Sequence, residues 1–217
     1  MLVVIGGGEV GCYHARRLRR GVERGEVRGP VVVVDRSPAA RCVAEFDGDP
    51  LVRVVRAEWS AFLGSWLGQA DPADSLVPAP FQPHLLWTWL ASELDLVPAP
   101  APAGWALPYE VAGSEGTRFL SAAAWRCPAT CVEPAHCPVL HGPRDWDLGD
   151  LLTQGALARG YEPAVFRCLH LAQGIGAIPV REILEARERC RRAGDEVLVA
   201  TTSRCHAAVG ALARSVE

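Results

Sequence analysis

The stretch Met1-Leu-Val-Val-Ile-Gly6-Gly7-Gly8-Glu9-Val10-Gly11 runs an apolar strand straight into a glycine turn, and few backbone arrangements accept it. Gly6 permits a tight turn, Gly8 lets backbone N–H groups approach a pyrophosphate, and Gly11 allows a helix to lie close on the strand. A helix-compatible segment, Tyr13-His-Ala-Arg-Arg-Leu-Arg-Arg20, follows the turn, so phosphates would sit at a helix N-terminus. A second strand, Val31–Val34, ends in Asp35, two dozen residues past Gly11. There a carboxylate can accept a ribose 2'-hydroxyl, which favours NAD over a 2'-phosphorylated cofactor. The neighbouring Arg36 pulls weakly the other way. The predicted cofactor-binding set is therefore Gly6, Gly8, Glu9, Val10, Gly11, Asp35 and Arg36.

The βα alternation continues with a short helix near Ala39 to Phe46, a strand Leu51 to Arg56, a helix Trp59 to Leu67 and a short fourth strand within Asp74–Pro78. Pro83 starts a helix through Leu85, Trp87, Leu90 and Leu94. From Val97 to about Trp146 the rhythm breaks: a proline-rich connector, Val97–Gly104, leads into a stretch without sustained periodicity. Regular patterning resumes with a helix Leu148 to Arg159, a strand Ala164 to Leu171, a helix Val180 to Ala193, a strand Glu196 to Thr201 and a short helix to Arg214. The fold predicted is α/β: a doubly wound parallel sheet formed by residues 1–96 and 147–217, with 97–146 as a Cys-rich, Pro-rich insertion.

At Val4-Ile-Gly-Gly-Gly-Glu-Val-Gly11 and Val33-Val-Asp35-Arg-Ser-Pro38 the chain resembles two NAD-binding Rossmann families: TrkA-N type regulatory domains and the N-terminal dehydrogenase domain of sirohaem synthases. The likeness covers roughly the first 75 residues, and it implies a Rossmann-like fold with the nucleotide held by Gly6, Gly8, Gly11 and Asp35. Ala57-Glu58-Trp59 stands where TrkA-N domains carry Gly-Asp-Ala, and Gly11 where the sirohaem enzymes carry Ala. Ala15 also fits the flavin-type variant of the fingerprint, leaving FAD beside NAD as a candidate.

Composition narrows the chemistry. All 22 basic residues are arginine, and lysine is absent, which excludes a Walker A phosphate lysine, a Schiff base and a Tyr-x-x-x-Lys dehydrogenase pair. A formal charge of -3 with scattered arginines gives no basic face for nucleic acid. No apolar run is long enough to span a bilayer and no secretory signal is evident, so a cytoplasmic protein without membrane partners is expected.

Eight cysteines in such a chain point to metal or redox chemistry rather than a disulfide framework. Cys127-Pro-Ala-Thr-Cys131-Val-Glu-Pro-Ala-His136-Cys137-Pro138, followed by His141, sets three thiols and two imidazoles in a proline-stiffened loop. Thiolates are the soft ligands that zinc and iron-sulfur clusters select. Cys205, behind a predicted Ser203 N-cap, is the candidate fourth ligand, its thiolate favoured by a helix N-terminus. The predicted metal set is Cys127, Cys131, Cys137 and Cys205. Candidate catalytic groups are His84, Cys205 and His206, all expected near the sheet edge that carries the glycine turn. Cys168 and His170 alternate with leucines and should share one strand face, whereas Cys12, Cys42 and Cys190 should pack inside helices.

Two functions fit these features. One is an NAD-binding oxidoreductase with an iron-sulfur or zinc site near the nucleotide and a small-molecule substrate. The other is a non-catalytic NAD-sensing module whose cysteine loop is a structural zinc clip, the nucleotide acting as effector. A homodimer is the candidate assembly.

Overall fold

A computed structural model describes residues 1–78, 85–127, 131–193 and 195–215. It is a mixed α/β structure in which the chain divides into two compact units, 1–85 with 169–184, and 86–168 with 185–217.

The first unit opens with β1 (Leu2–Ile5), α1 (Glu9–Glu23), β2 (Val31–Asp35), α2 (Arg41–Glu45), β3 (Val52–Arg56), α3 (Trp59–Leu67) and β4 (Ser75–Val77). These four strands are parallel, in spatial order β4-β1-β2-β3. Parallel strands are covered on both faces, which is why β1 and β2 read as unbroken Val, Leu and Ile runs and are buried almost throughout. Helix α1 turns Cys12, Ala15 and Leu18 inward at i, i+3 and i+6, onto Leu2, Val4, Val31 and Val33.

The chain then passes through α4 (Leu85–Leu94), β5 (Val97–Ala99), β6 (Tyr109–Ala112), a 3-10 turn (Ser114–Gly116), β7 (Arg118–Ser121), β8 (His136–Cys137), β9 (Gly142–Pro143), α5 (Leu148–Ala158) and β10 (Glu162–Arg167). A hairpin of β11 (Leu169–Ala172) and β12 (Ile175–Pro179) belongs to the first unit: Ile178 and Pro179 pair antiparallel with Leu76 and Ser75 of β4. Helix α6 (Val180–Ala193), β13 (Glu196–Thr202) and β14 (His206–Ala213) complete the chain.

The single continuous sheet expected from the sequence does not form. Strands β10, β13, β14, β7 and β6 make a second sheet, with β5 pairing on the far part of β14. Residues 97–146 are accordingly no separate insertion, because β5, β6 and β7 come from them. The expected helix ending at Arg214 is instead β14. Its sequence, His-Ala-Ala-Val-Gly-Ala-Leu-Ala, has helix-favouring alanines, but its place between β13 on one side and β7 and β5 on the other buries six consecutive residues, and packing overrides propensity. The expected strand Ala164 to Leu171 is likewise split, with Cys168 at the break between β10 and β11, so Cys168 and His170 share no strand face.

The core of the second unit gathers Trp105, Leu120, Leu148, Leu152, Ala156, Leu198, Ala200 and Val209 between α5 and the sheet. On β14, Gly210 has no side chain because the Trp87 ring covers it: a Cβ there would meet Trp87 Nε1 at 2.9 Å. The same indole donates to the Ala211 carbonyl at 3.0 Å. Trp87→Phe should therefore cost about 2 kcal/mol, from one hydrogen bond and the lost ring atoms. Urea denaturation reads this directly, and a midpoint like that of the unaltered chain would show that the contact contributes nothing.

Candidate functional site

The glycine turn is built by three separate constraints. Gly6 has φ +95, which only glycine adopts freely. A Cβ on Gly11 would stand 1.7 Å from the Gly6 carbonyl oxygen, so α1 approaches β1 as closely as a bare backbone allows. Gly8 is the residue preceding α1, with no side-chain cap, and nothing lies within 4 Å of where its Cβ would be. The first N–H groups of α1 thus lack a side-chain acceptor beside open space, the arrangement that a phosphate can satisfy.

Asp35 closes the turn from the end of β2. Its Oδ2 accepts from the Gly7 amide at 2.7 Å and its Oδ1 from the Ser37 amide at 2.8 Å, so backbone donors fix the carboxylate while leaving it partly exposed. Arg36 is drawn away into an exposed pair with Glu58 at 3.4 Å, and Glu9 pairs with Arg41 at 3.0 Å. Beneath the turn, Cys42 donates its amide to the Gly7 carbonyl at 3.0 Å. Cys12 and Cys42 are both fully buried, and burial pushes both thiols up. With Cys190 they pack in helices, as the sequence predicts.

Three thiols of the second unit, Cys127, Cys131 and Cys137, lie in the 26-residue segment from Ala122 to Asp147, between β7 and α5, and a fourth, Cys205, lies in the β13–β14 turn. Among the described residues, the segment's regular structure is the two-residue ladder of β8 on β9. Val132, Val139 and Leu140 of this segment are each about 40% exposed, whereas Trp125 and Trp146 are half-buried and pack edge to face, with ring centroids 6.3 Å apart. The segment is also fastened by Glu133, which has φ +51 and accepts from Ser203 Oγ at 2.6 Å and from the Arg204 amide at 2.7 Å. Arg144 adds a side-chain hydrogen bond to the Pro134 carbonyl and an amide bond to Ala135 at 2.8 Å.

Each thiol of the predicted metal set is met by an N–H group. Cys131 Sγ accepts from the Glu133 amide at 3.4 Å, and Cys205 Sγ from Trp146 Nε1 at 3.4 Å. The amides of Leu140 and Val139, with the Arg144 guanidinium, hold the Cys137 thiol below its ordinary range. Trp125 Nε1 lies beside Cys127 and favours its thiolate without completing a hydrogen bond. Burial nevertheless pushes Cys127 up, and the nearby Cys131 and Cys137 add to the shift; burial also raises Cys205, with Cys127 and Glu133 contributing. Among the described residues, no three His, Cys, Asp or Glu side chains converge closely enough to hold a single metal ion.

Cys205 requires correction. It lies in the β13–β14 turn, not in the first turn of a helix, so no helix dipole favours its thiolate. Ser203 caps that turn, with its amide donating to the His206 carbonyl at 2.8 Å. Cys205 and His206 belong to the second sheet and the glycine turn to the first, so the shared sheet edge invoked for catalysis does not exist. His206 is exposed at the start of β14. His84 lies outside the described residues. His136 and His141 are exposed, and His170 accepts from the Gly174 amide at 3.1 Å inside the β11–β12 hairpin. The residues that sequence reasoning passed over are Glu133, Arg144, Trp125 and Trp146. Their signal was their position inside or flanking the cysteine loop.

A family model described as AF_1314_C, "Uncharacterized protein, C-terminal domain", matches residues 83–215, well over half of the chain. The chain belongs to this family. The AF_1314_C match contains the thiol loop, all three sheet partners of β14 and the β11–β12 hairpin, whereas the glycine turn precedes it. No curated protein and no solved structure matches the chain. Among the described residues of this AF_1314_C member, no helix is long and apolar enough to cross a membrane.

Proposed function

We propose that the first unit is a Rossmann-type dinucleotide-binding unit that takes NAD, and that the chain serves an oxidoreductase reaction on a small-molecule substrate. The observation that carries this reading is the pairing of Gly11, whose Cβ has no room, with Gly8, whose Cβ would meet nothing. The first brings α1 against the strand, and the second leaves its N-terminal amides open to a pyrophosphate. The order β3-β2-β1-β4 in parallel register is that of a mononucleotide-binding half, and supports the reading. Asp35, oriented by two amides, is set to receive the ribose hydroxyls and to repel a 2'-phosphate. Bound NAD would supply the hydride acceptor or donor.

A second reading, a non-catalytic NAD sensor, is favoured by Cys205: a buried thiol pushed up by burial is a poor nucleophile. Both readings need the same nucleotide site, which Asp35→Ala tests. Loss of a charged acceptor should weaken NAD about tenfold or more in calorimetric titration, while Asp35→Asn retains part of the affinity. Equal affinity for the alanine variant and the unaltered chain would remove Asp35 from the site.

A further inference from the structure

We infer that a cleft at the amino-terminal edge of the first sheet is a binding site for a small planar organic carboxylate, received by Arg53 and laid against the Phe62 and Trp66 rings. Met1 and Asp74 immediately precede β1 and β4 and Arg53 is the second residue of β3, whereas Gly6 follows β1 and Asp35 ends β2. In a parallel sheet these two groups fall at opposite edges. The inference is therefore independent of the nucleotide reading, which concerns the edge that carries the glycine turn.

The lining residues meet because of helix and strand periods. Phe62, Ser65, Trp66 and Gln69 recur at i, i+3, i+4 and i+7, along one side of α3 and the turn after it. Beside them Leu63 and Leu67 are buried and anchor the helix. Arg53 pairs in register with Val32, so it lies on the sheet face opposite to that of Val31 and Val33, which pack under α1. With Met1, Ala70 and Asp74, these side chains border a cleft of about 340 Å³. That volume is at the small end of ligand pockets and suits a compact metabolite.

The charges of the cleft select a single negative group. Arg53 is exposed and has no carboxylate partner among the described residues. Asp74 does not serve it: this carboxylate is 7% exposed, pairs with the Met1 amine and accepts from the Asp71 amide at 3.3 Å, so its charge is already offset. One unpaired guanidinium remains, whose fork of N–H donors matches a carboxylate. A phosphate, with close to two charges, would bring more than this cleft balances.

The apolar wall selects a flat body. The Phe62 and Trp66 rings are stacked, with centroids 5.9 Å apart and 26° between their planes, and a planar molecule makes its fullest contact on such a surface. Trp66 is 5% exposed, yet its Nε1 has no hydrogen-bond partner. Buried donors left this way are costly and are normally satisfied. A carboxylate brings an acceptor that the cleft itself lacks.

The test uses the full chain labelled with nitrogen-15 and benzoate as the probe. Titration should move the Trp66 indole N–H resonance, identified by its loss in Trp66→Phe. Arg53→Gln, at an exposed position on the edge strand, should weaken benzoate by at least about fivefold and leave NAD affinity unaltered. Benzamide, the same ring without the charge, should also bind the unaltered chain at least about fivefold more weakly than benzoate does. Circular dichroism checks that each variant is folded, and the Arg53→Gln and benzamide comparisons do not depend on the tryptophan variant. Absence of benzoate binding at up to about 10 mM, a weak affinity even for so small a ligand, overturns the proposal. So does equal affinity for benzoate and benzamide, or equal affinity of folded Arg53→Gln and the unaltered chain for benzoate.

Discussion

Gly11→Ala is expected to disrupt the first unit, whereas Gly8→Ala leaves its stability nearly unchanged and removes nucleotide affinity. The two substitutions add the same methyl group three residues apart, and the structure gives them opposite surroundings. At residue 11 the methyl would stand 1.7 Å from the Gly6 carbonyl oxygen, a backbone atom that can move only if β1 or α1 moves. Helix α1 places Cys12, Ala15 and Leu18 in the core, so displacing it loosens those contacts as well. Overpacking of a rigid core typically costs 1–3 kcal/mol, and a clash with backbone belongs at or above the upper end, about 3 kcal/mol. At residue 8 the backbone has φ -73, which alanine adopts without strain, and the methyl meets nothing. The space it fills is where, on the nucleotide reading proposed above, a pyrophosphate would approach the α1 amides. Denaturant unfolding and NAD titration on both variants make the comparison. Unchanged NAD affinity in Gly8→Ala would remove the turn from the nucleotide site, and unaltered stability in Gly11→Ala would show that α1 does not lie where described.

The opening parallel run of the first unit, β1 to β4, was legible because its signals are local, whereas the β11–β12 hairpin that completes the unit was not. The boundaries of α3 and the strand ending in Asp35 follow from short runs whose periodicity has one reading, and Gly6 and Gly11 are demanded by backbone geometry that no other residue supplies. The second unit resisted for the opposite reason. Strand β14 carries alanines whose intrinsic preference is helical, and it is extended because partners from residues 97–99, 118–121 and 196–202 all pair with it. No window of sequence contains that information. The misreading then carried over to Cys205: once β14 was taken as a helix, its first turn implied a dipole and a favoured thiolate, where the structure has a strand-to-strand turn whose Cys205 side chain is buried. The cysteine loop could be seen, but the residue that fastens it could not. Glu133 looks like an ordinary solvated acid between two cysteines, and its partners are some 70 residues away in the chain.

Glu133→Ala should therefore release the thiol loop without unfolding the second sheet. The carboxylate accepts one hydroxyl and one amide from the β13–β14 turn, and hydrogen bonds to a charged group contribute about 1.5–3 kcal/mol each when buried. Glu133 is half exposed, so water recovers part of that, and a loss of about 2 kcal/mol for the pair is expected. The loss should fall on local opening of residues 122–147 rather than on global unfolding, because the core of this unit lies between α5 and the sheet. Limited trypsin digestion reads that opening at Arg126 and Arg144, which flank Glu133 within the loop. Cleavage there should quicken by more than about tenfold, as 2 kcal/mol of local stability implies, while Glu133→Gln, which keeps one acceptor oxygen, falls between. Equal cleavage rates in Glu133→Ala and the unaltered chain would mean that the loop is held by something other than this carboxylate.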